Sequence, residues 1–347
     1  MPRRNWRGRR QAFSGDDGNA APALDSGPPA PNSLDMIETA KPLATRLPGR
    51  ALLALGGADT IPFLQGLITN DATRLSPSQG LFAALLTPQG KFLHELIIAP
   101  APAPPGHGDG LLVDTEAERC ADLQRRLTLY RLRAKVTIAA PADGTVVAVF
   151  GPGSAAAFGL DAVAGAAREL AGGAVALVDP RLADLGVRLL GPAAAVDAAL
   201  AAAGLSLSAA AEAYDRHRLD LAVPDGSRDI AVDRGFLLEN NYEELNGVSF
   251  TKGCYVGQEL TARTKHRATI KKRLYKVEFD PAAEPPEPDT PILLGGHEAG
   301  AMRSSRAGVG LALMRLEYLK ENEADDHVFT AGSLVVRPCR PAFLGDL

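Results

Sequence analysis

The chain has 347 residues, 46% of them apolar, which exceeds one ordinary hydrophobic core and implies two or three packed units. A formal net charge of only −4 argues against wholesale coating of nucleic acid, and three scattered cysteines suit a reducing compartment better than a disulfide framework. There is no C-x-x-C spacing and no apolar run near the ~18 residues that span a bilayer, so neither a bound metal nor a membrane partner is expected.

Residues 1–35 open with five arginines in ten positions and continue in Gly, Asp, Pro, Ala and Ser with little to bury, a composition that predicts a disordered tail. An Arg-rich start resembles a mitochondrial transit peptide, although Asp16, Asp17 and Asp25 oppose that reading, and translation from Met36 is a second possibility. A cytoplasmic location is therefore expected, with the mitochondrial matrix as the alternative if the arginines form a transit signal.

Ala51–Leu55 reads as a strand, followed by a short helix capped by Asp59 that buries Phe63, Leu64 and Leu67 and ends at Thr69-Asn70-Asp71. Leu81–Leu86 and Phe92–Ile98 form a hairpin about Thr87-Pro88-Gln89-Gly90. Pro100–Gly110 is a surface excursion, Leu111–Val113 resumes the sheet, and Thr115-x-x-Glu118 is a capping box opening a helix. On that helix Cys120, Leu123, Leu127 and Tyr130 share one face, so Cys120 belongs to the core; Arg131 and Arg133 either line a ligand channel or stay exposed.

Strands are expected at 135–139, 146–150, 175–178 and 187–190, with helices at 154–158, 193–203 and 209–219. Helices and hairpins mixed in this way indicate α+β layers, and no phosphate-binding glycine loop is present. His217, among Asp215, Arg216 and Arg218, reads as part of a solvated helix face, and Asp225–Asn246 as mostly solvated loop.

Ser249–Thr264 reads S-F-T-K-G-C-Y-V-G-Q-E-L-T-A-R-T. It places Cys254 two residues after Lys252, between Gly253 and Gly257, just ahead of a helix start expected near Tyr255. A neighbouring cation and a helix N-terminus are what favour a thiolate, whereas burial would make the same residue a small hydrophobe. The glycines point to torsions or close approaches that a side chain forbids.

After Arg263 comes a basic run through Lys265, His266, Arg267, Lys271, Lys272, Arg273 and Lys276 into a strand at 274–279. Attraction of an anionic ligand tail and a lysine-guarded edge strand both explain it; nucleic acid has less support, because no stacking aromatics recur. Short strands at 291–294, 299–303, 308–315 and 333–337 then suggest a small barrel, and Cys339 is incidental.

The run K-G-C-Y-V-G-Q-E-L-T-A-R resembles the signature of the YgfZ-type folate-binding proteins, relatives of the glycine-cleavage T-protein that include factors maturing iron-sulfur proteins. The resemblance extends from about Leu43 to the C-terminus. It implies a GcvT-like, three-unit α+β architecture: a split ferredoxin-like folate-binding domain over 43–140, a second α+β domain over 141–270 carrying the signature, and a C-terminal β-barrel over 271–347. It implies tetrahydrofolate or a one-carbon derivative as cofactor, iron-sulfur client or scaffold proteins as partners, and a monomer.

By the same resemblance Cys254 and Lys252 form the reactive pair, and Tyr255, Gly257, Gln258, Glu259 and Arg263, with Asn70 and Asp71, are folate contacts. Leu238-Glu239-Asn240 is similar to the family's L-E-x-N segment, which makes Glu239 the acceptor for a pterin's amino and ring N–H donors. T-protein relatives carry adjacent aspartates where this chain has His94 and Glu95. That departure favours iron-sulfur cluster assembly or repair over the alternative, folate-dependent aminomethyl transfer.

Overall fold

The computed structural model describes residues 41–101, 110–267, 270–321 and 328–345. The expected tail, the transit and start-site readings and most of the Pro100–Gly110 excursion lie outside the described residues.

Two five-stranded antiparallel sheets and a barrel account for the strands. The first sheet, in order β3-β4-β5-β2-β6, uses β2 (Arg50–Gly56), β3 (Leu81–Leu86), β4 (Phe92–Ala101), β5 (Gly110–Glu116) and β6 (Thr137–Ala139). The second, in order β1-β7-β10-β9-β8, uses β1 (Leu43–Arg46), β7 (Gly144–Phe150), β8 (Ala167–Glu169), β9 (Val175–Val178) and β10 (Val187–Pro192). The chain's first strand thus belongs to the second sheet, where Leu43 faces Phe150 and Arg46 faces Val147.

Strand periodicity explains the layering. In β4, Ile97 and Ala99 enter the core shared with the second sheet, while Leu96 and Ile98 face the opposite core beneath α1 (Thr60–Gln65) and α2 (Cys120–Arg131). In β9, Val175 and Leu177 meet the shared core and Ala176 and Val178 pack beneath α3 (Ala193–Ala202). Strands buried on both faces lose polar alternation, which is why they read as continuous apolar runs.

The C-terminal residues close a six-stranded barrel in order β11-β14-β13-β12-β15-β16, from Lys272–Phe279, Pro291–Leu294, His297–Arg306, Val309–Arg315, Phe329–Ala331 and Leu334–Cys339 in chain order as β11 to β16. β16 returns to pair with β11, Phe279 opposite Val336, so neither strand is left as an open edge. A short helix, α7 (Leu316–Glu321), follows β14.

Several local expectations are corrected. Asp59 does not cap α1 with its side chain; its carboxylate accepts the Lys135 amide at 2.7 Å. The helix ends at Gln65, and Phe63 is only half-buried. The Thr115–Glu118 capping box does not form, because Thr115 lies inside β5 and its hydroxyl donates to the Glu95 carbonyl at 3.1 Å. Tyr130 is 40% exposed, whereas Cys120, Leu123 and Leu127 are buried as expected.

The solvated face expected on α4 (Ala211–Asp220) is instead an interface, with Tyr214, Asp215, Arg218 and Leu219 buried. His217 stacks against Phe150 with ring centroids 5.2 Å apart. Likewise Asp229, Asn240, Asn241, Tyr242 and Leu245 are buried, so much of Asp225–Asn246, including α5 (Gly226–Asp229), is structural rather than solvated loop. Their polar atoms find partners far away in sequence, as Asp229 does at the Ser304 amide, 2.9 Å away in β13.

Candidate functional site

The segment ahead of α6 (Gln258–Arg267) is held against the connection that follows α1 by contacts on both sides of Gly253-Cys254. Upstream, the Ser249 amide donates to the Thr69 carbonyl at 3.0 Å and the Thr69 hydroxyl donates to the Gly247 carbonyl at 2.6 Å. Downstream, the Val256 amide donates to the Gly66 carbonyl at 3.2 Å, and the Tyr255 amide donates to Gln258 Oε1 at 3.3 Å. Gly257, at φ +81°, backs onto the β3–β4 hairpin, where an added Cβ would strike the Thr87 carbonyl. Its lack of a side chain therefore serves packing within the protein. Gly253 has open space about it and no positive φ.

Lys252 is buried, and its ammonium donates to the carbonyls of Ile68 at 2.7 Å and Asn70 at 2.6 Å, with the Tyr255 ring 5.0 Å away. Cys254, two residues on, is exposed. Lys252 is thus a pin for the loop as well as a cation near the thiol in sequence. The helix begins four residues after the cysteine, at Gln258, rather than at Tyr255.

Burial lowers the Lys252 pKa from 10.5 to about 8, opposed by the nearby Asp71 carboxylate. Because the unfolded chain then holds this proton more tightly than the folded one, stability should rise between about pH 8 and 10.5. Lys252→Met should abolish that rise and, by leaving the two carbonyls without donors, cost about 1–3 kcal/mol at neutral pH. Urea midpoints of both proteins across this pH range check the slope; identical slopes would remove Lys252 from the account.

The residues expected to contact folate divide among three places. Tyr255, Gly257, Gln258, Glu259 and Arg263 line one open groove of about 910 Å³, with Pro88 and His266. Asn70 lies behind the loop with its amide spent on the Phe82 and Asn246 carbonyls at 2.8 and 2.7 Å, and Asp71 caps a turn at the Thr73 amide at 3.1 Å. Glu239 is half-buried near Lys91 and Lys272, and burial raises its pKa. It does not line the groove, and its carboxylate accepts no hydrogen bond from the described residues.

Three members of the basic run are paired with acidic side chains. Lys265 pairs with Glu243, Arg273 Nη1 lies 2.8 Å from Glu244, and Lys276 Nζ lies 2.9 Å from Glu278. The side chain of Arg267 lies outside the described residues.

His94 and Glu95, adjacent on β4, point to opposite faces. His94 Nε2 is 2.9 Å from Asp122 on α2, and burial depresses the imidazole pKa to about 4, so the ring is neutral. Glu95 faces the second sheet and enters a closed cycle of buried charges that the sequence reading did not anticipate.

In that cycle Arg50 bonds Glu95 at 2.9 Å and Asp114 at 2.6 Å, and Arg188 bonds Asp114 at 2.6 Å and Asp179 at 2.8 Å. Arg181 bonds Asp179 at 2.9 Å and approaches Glu95 at 3.8 Å. Three guanidiniums thus alternate with three carboxylates across the two sheets. Burial raises the Glu95 pKa against the pull of Arg181 and Arg50, while the arginines hold Asp179 well below the usual carboxylate range.

Beside the cycle a cavity of about 380 Å³ is lined by Arg50, Glu116, Arg188, Tyr214, Asp225 and, from the barrel, Arg306. Among the described residues no group of three or more His, Cys, Asp or Glu side chains could hold a metal ion. Cys120 is buried and Cys339 half-buried, which leaves Cys254 as the exposed thiol.

Comparison with known proteins bears on this arrangement. Residues 271–346 match the family model described as CAF17, C-terminal beta-barrel domain. The chain is 38% identical over 295 residues to the mitochondrial iron-sulfur cluster assembly factor IBA57 of Homo sapiens, spanning 79% of this chain and 78% of that protein. It is 33% identical over 293 residues to the Mus musculus protein of the same name, with the same coverage of 79% and 78%.

Among solved structures, the glycine cleavage system aminomethyltransferase T from Bartonella henselae superposes with a TM-score of 0.69 at 14% identity, covering 86% of this chain and 85% of that one. This likeness establishes the GcvT-like fold and carries no chemistry with it.

Proposed function

Because this chain belongs to the IBA57 family of iron-sulfur cluster assembly factors, we propose that it acts in iron-sulfur cluster assembly and that Cys254 is the thiol it presents to a cluster or to the protein carrying one. The carrying observation is the exposed Cys254 on a loop fixed at Lys252 on one side and at Val256 on the other. Fixing a loop before contact lowers the ordering cost of binding, and an exposed sulfur can be reached by a cluster that another protein carries. Clusters are usually held by four thiolates, so one exposed cysteine implies that a partner supplies the remaining ligands.

The reading is tested in a strain lacking this protein, where a client iron-sulfur enzyme should lose activity and regain it when the chain is supplied. Unchanged client activity in the deletion strain would refute it.

A folate ligand belongs to this proposal. Tetrahydrofolate supplies one-carbon carrier chemistry when bound, and Glu239 fits its pterin because the half-buried carboxylate is not taken up by the described residues. Asn70 does not fit a ligand role, since its amide is spent internally. Calorimetric titration with tetrahydrofolate should show Glu239→Gln binding about tenfold or more weakly, the loss of a bidentate charge-assisted pair. Equal affinities would remove Glu239 from the site.

The rival reading, aminomethyl transfer, needs a carboxylate free to move a proton. Glu95, the residue it would use, is engaged through Oε1 by Arg50 at 2.9 Å and through Oε2 by the Gly226 amide at 3.3 Å. A base already holding two donors serves the fold first.

A further inference from the structure

The turn that ends α2 departs from what stability alone would select. Leu132 has φ +44° and ψ −104°, and the Ala134 amide donates to the Arg131 carbonyl at 2.8 Å, closing a tight turn. These torsions are close to those of the first central residue of a type II′ turn, a position that favours glycine. Here the position carries a leucine, 87% exposed. A bulky side chain at positive φ is strained, and an apolar one left in water gains nothing on folding, so this residue is unfavourable twice over.

Its neighbours extend the pattern. Leu129 is 65% exposed and Tyr130 40% exposed, at the last turn of the helix. Arg125, Arg133 and Lys135 are exposed around them, and residues 123–142 contain five Lys or Arg and no Asp or Glu. Asp122 is occupied by Arg125 and by Arg126 at 2.7 Å, and Asp59 by the Lys135 amide.

From this we infer that the Leu129–Lys135 turn docks on an anionic bilayer surface, Leu132 entering the acyl boundary while the surrounding cations meet headgroup phosphates. Consecutive helical residues diverge by ~100°, so Leu129 and Tyr130 splay from the tip instead of forming one flat patch. A fluid phase accepts splayed side chains, whereas a folded partner would need a separate pocket for each. Each cation near an anionic leaflet adds attraction that an apolar tip alone lacks. No described helix is long and apolar enough to cross a membrane, so the contact is peripheral, and it departs from the expectation of no membrane partner, which rested on the lack of a spanning run.

The test is co-sedimentation of the whole chain with vesicles of phosphatidylcholine alone or mixed equally with phosphatidylglycerol. The wild-type protein should pellet with the mixed vesicles and stay in solution with the neutral ones. Leu132→Gly, which suits the torsion, should keep or raise the thermal midpoint yet bind the mixed vesicles about tenfold more weakly. Arg133→Glu with Lys135→Glu should weaken binding to the mixed vesicles at unchanged midpoint.

Wild-type protein left in solution with both vesicles would overturn the inference, as would equal binding to both or undiminished binding by Leu132→Gly. Retention of the turn by a protein partner without vesicle binding would overturn it in favour of a protein interface.

Discussion

Asp114→Asn is expected to destabilise the fold by about 3–5 kcal/mol, the range for removing one partner from a buried ion-pair network. Asp114 accepts from Arg50 through one oxygen and from Arg188 through the other, both at 2.6 Å, and its side chain is fully buried. The amide keeps the shape but removes the charge that offsets two guanidiniums with at most 6% of their side chains exposed. Those cations cannot shed a proton to escape.

The damage should be general, because the cycle joins β2, β4 and β5 of one sheet to β10 and the Asp179–Arg181 bend of the other. Urea unfolding of the two proteins measures it, and a loss below about 1 kcal/mol would mean that water or rearranged partners already compensate the charges. Replacing Arg50 and Asp114 together with apolar residues should cost less than the two single changes summed, since the remaining two guanidiniums and two carboxylates are again balanced in charge.

Acid should act on the same charges and on their counterpart at the barrel. Arg218 and Arg228 hold the Asp215 carboxyl at about 2, and Arg306 reaches it from β13 at 2.5 Å. A carboxylate depressed in the folded state contributes stability that is fully present above its unfolded pKa of ~3.9 and is lost as pH falls toward the folded value. Glu95, raised by burial, works in the opposite sense and moderates the loss.

Local pattern made much of the fold legible. The 81–98 hairpin, most barrel strands and the buried face of Cys120, Leu123 and Leu127 follow from periodicity and turn chemistry over fewer than twenty residues. β1, β8 and β15, at three or four residues each, carry too little pattern to be recognised and are held by partners distant in sequence.

The charge cycle failed to appear for the same reason, since Arg50 and Arg188 meet only through the packing of two sheets. A signal was nevertheless present: Glu95, Asp114 and Arg188 each interrupt an apolar run at a place where strand alternation turns the side chain inward. Charges in such places find each other or are not tolerated. Lys252 shows that closeness in sequence does not give a side chain's direction. Two residues from Cys254 in sequence, it is turned down into the Ile68 and Asn70 carbonyls while the cysteine stays at the surface.

Cys254→Ser should leave the thermal midpoint within about 0.5 kcal/mol of wild type in stability terms, because an exposed side chain on a loop pinned by its neighbours contributes little to folding. The same change should reduce client iron-sulfur enzyme activity in a deletion strain to the level of the empty vector, since a hydroxyl does not ligate iron as a thiolate does. The two measurements separate chemistry from structure. Cys120→Ser is the opposite control: it places a hydroxyl in the core with Leu123 and Leu127, so it should lower stability while leaving the presented thiol in place. Full rescue by Cys254→Ser would confine this segment to a docking role, and the anchoring of Lys252 and Gly257 would then serve to hold a surface for a partner instead of a sulfur for a cluster.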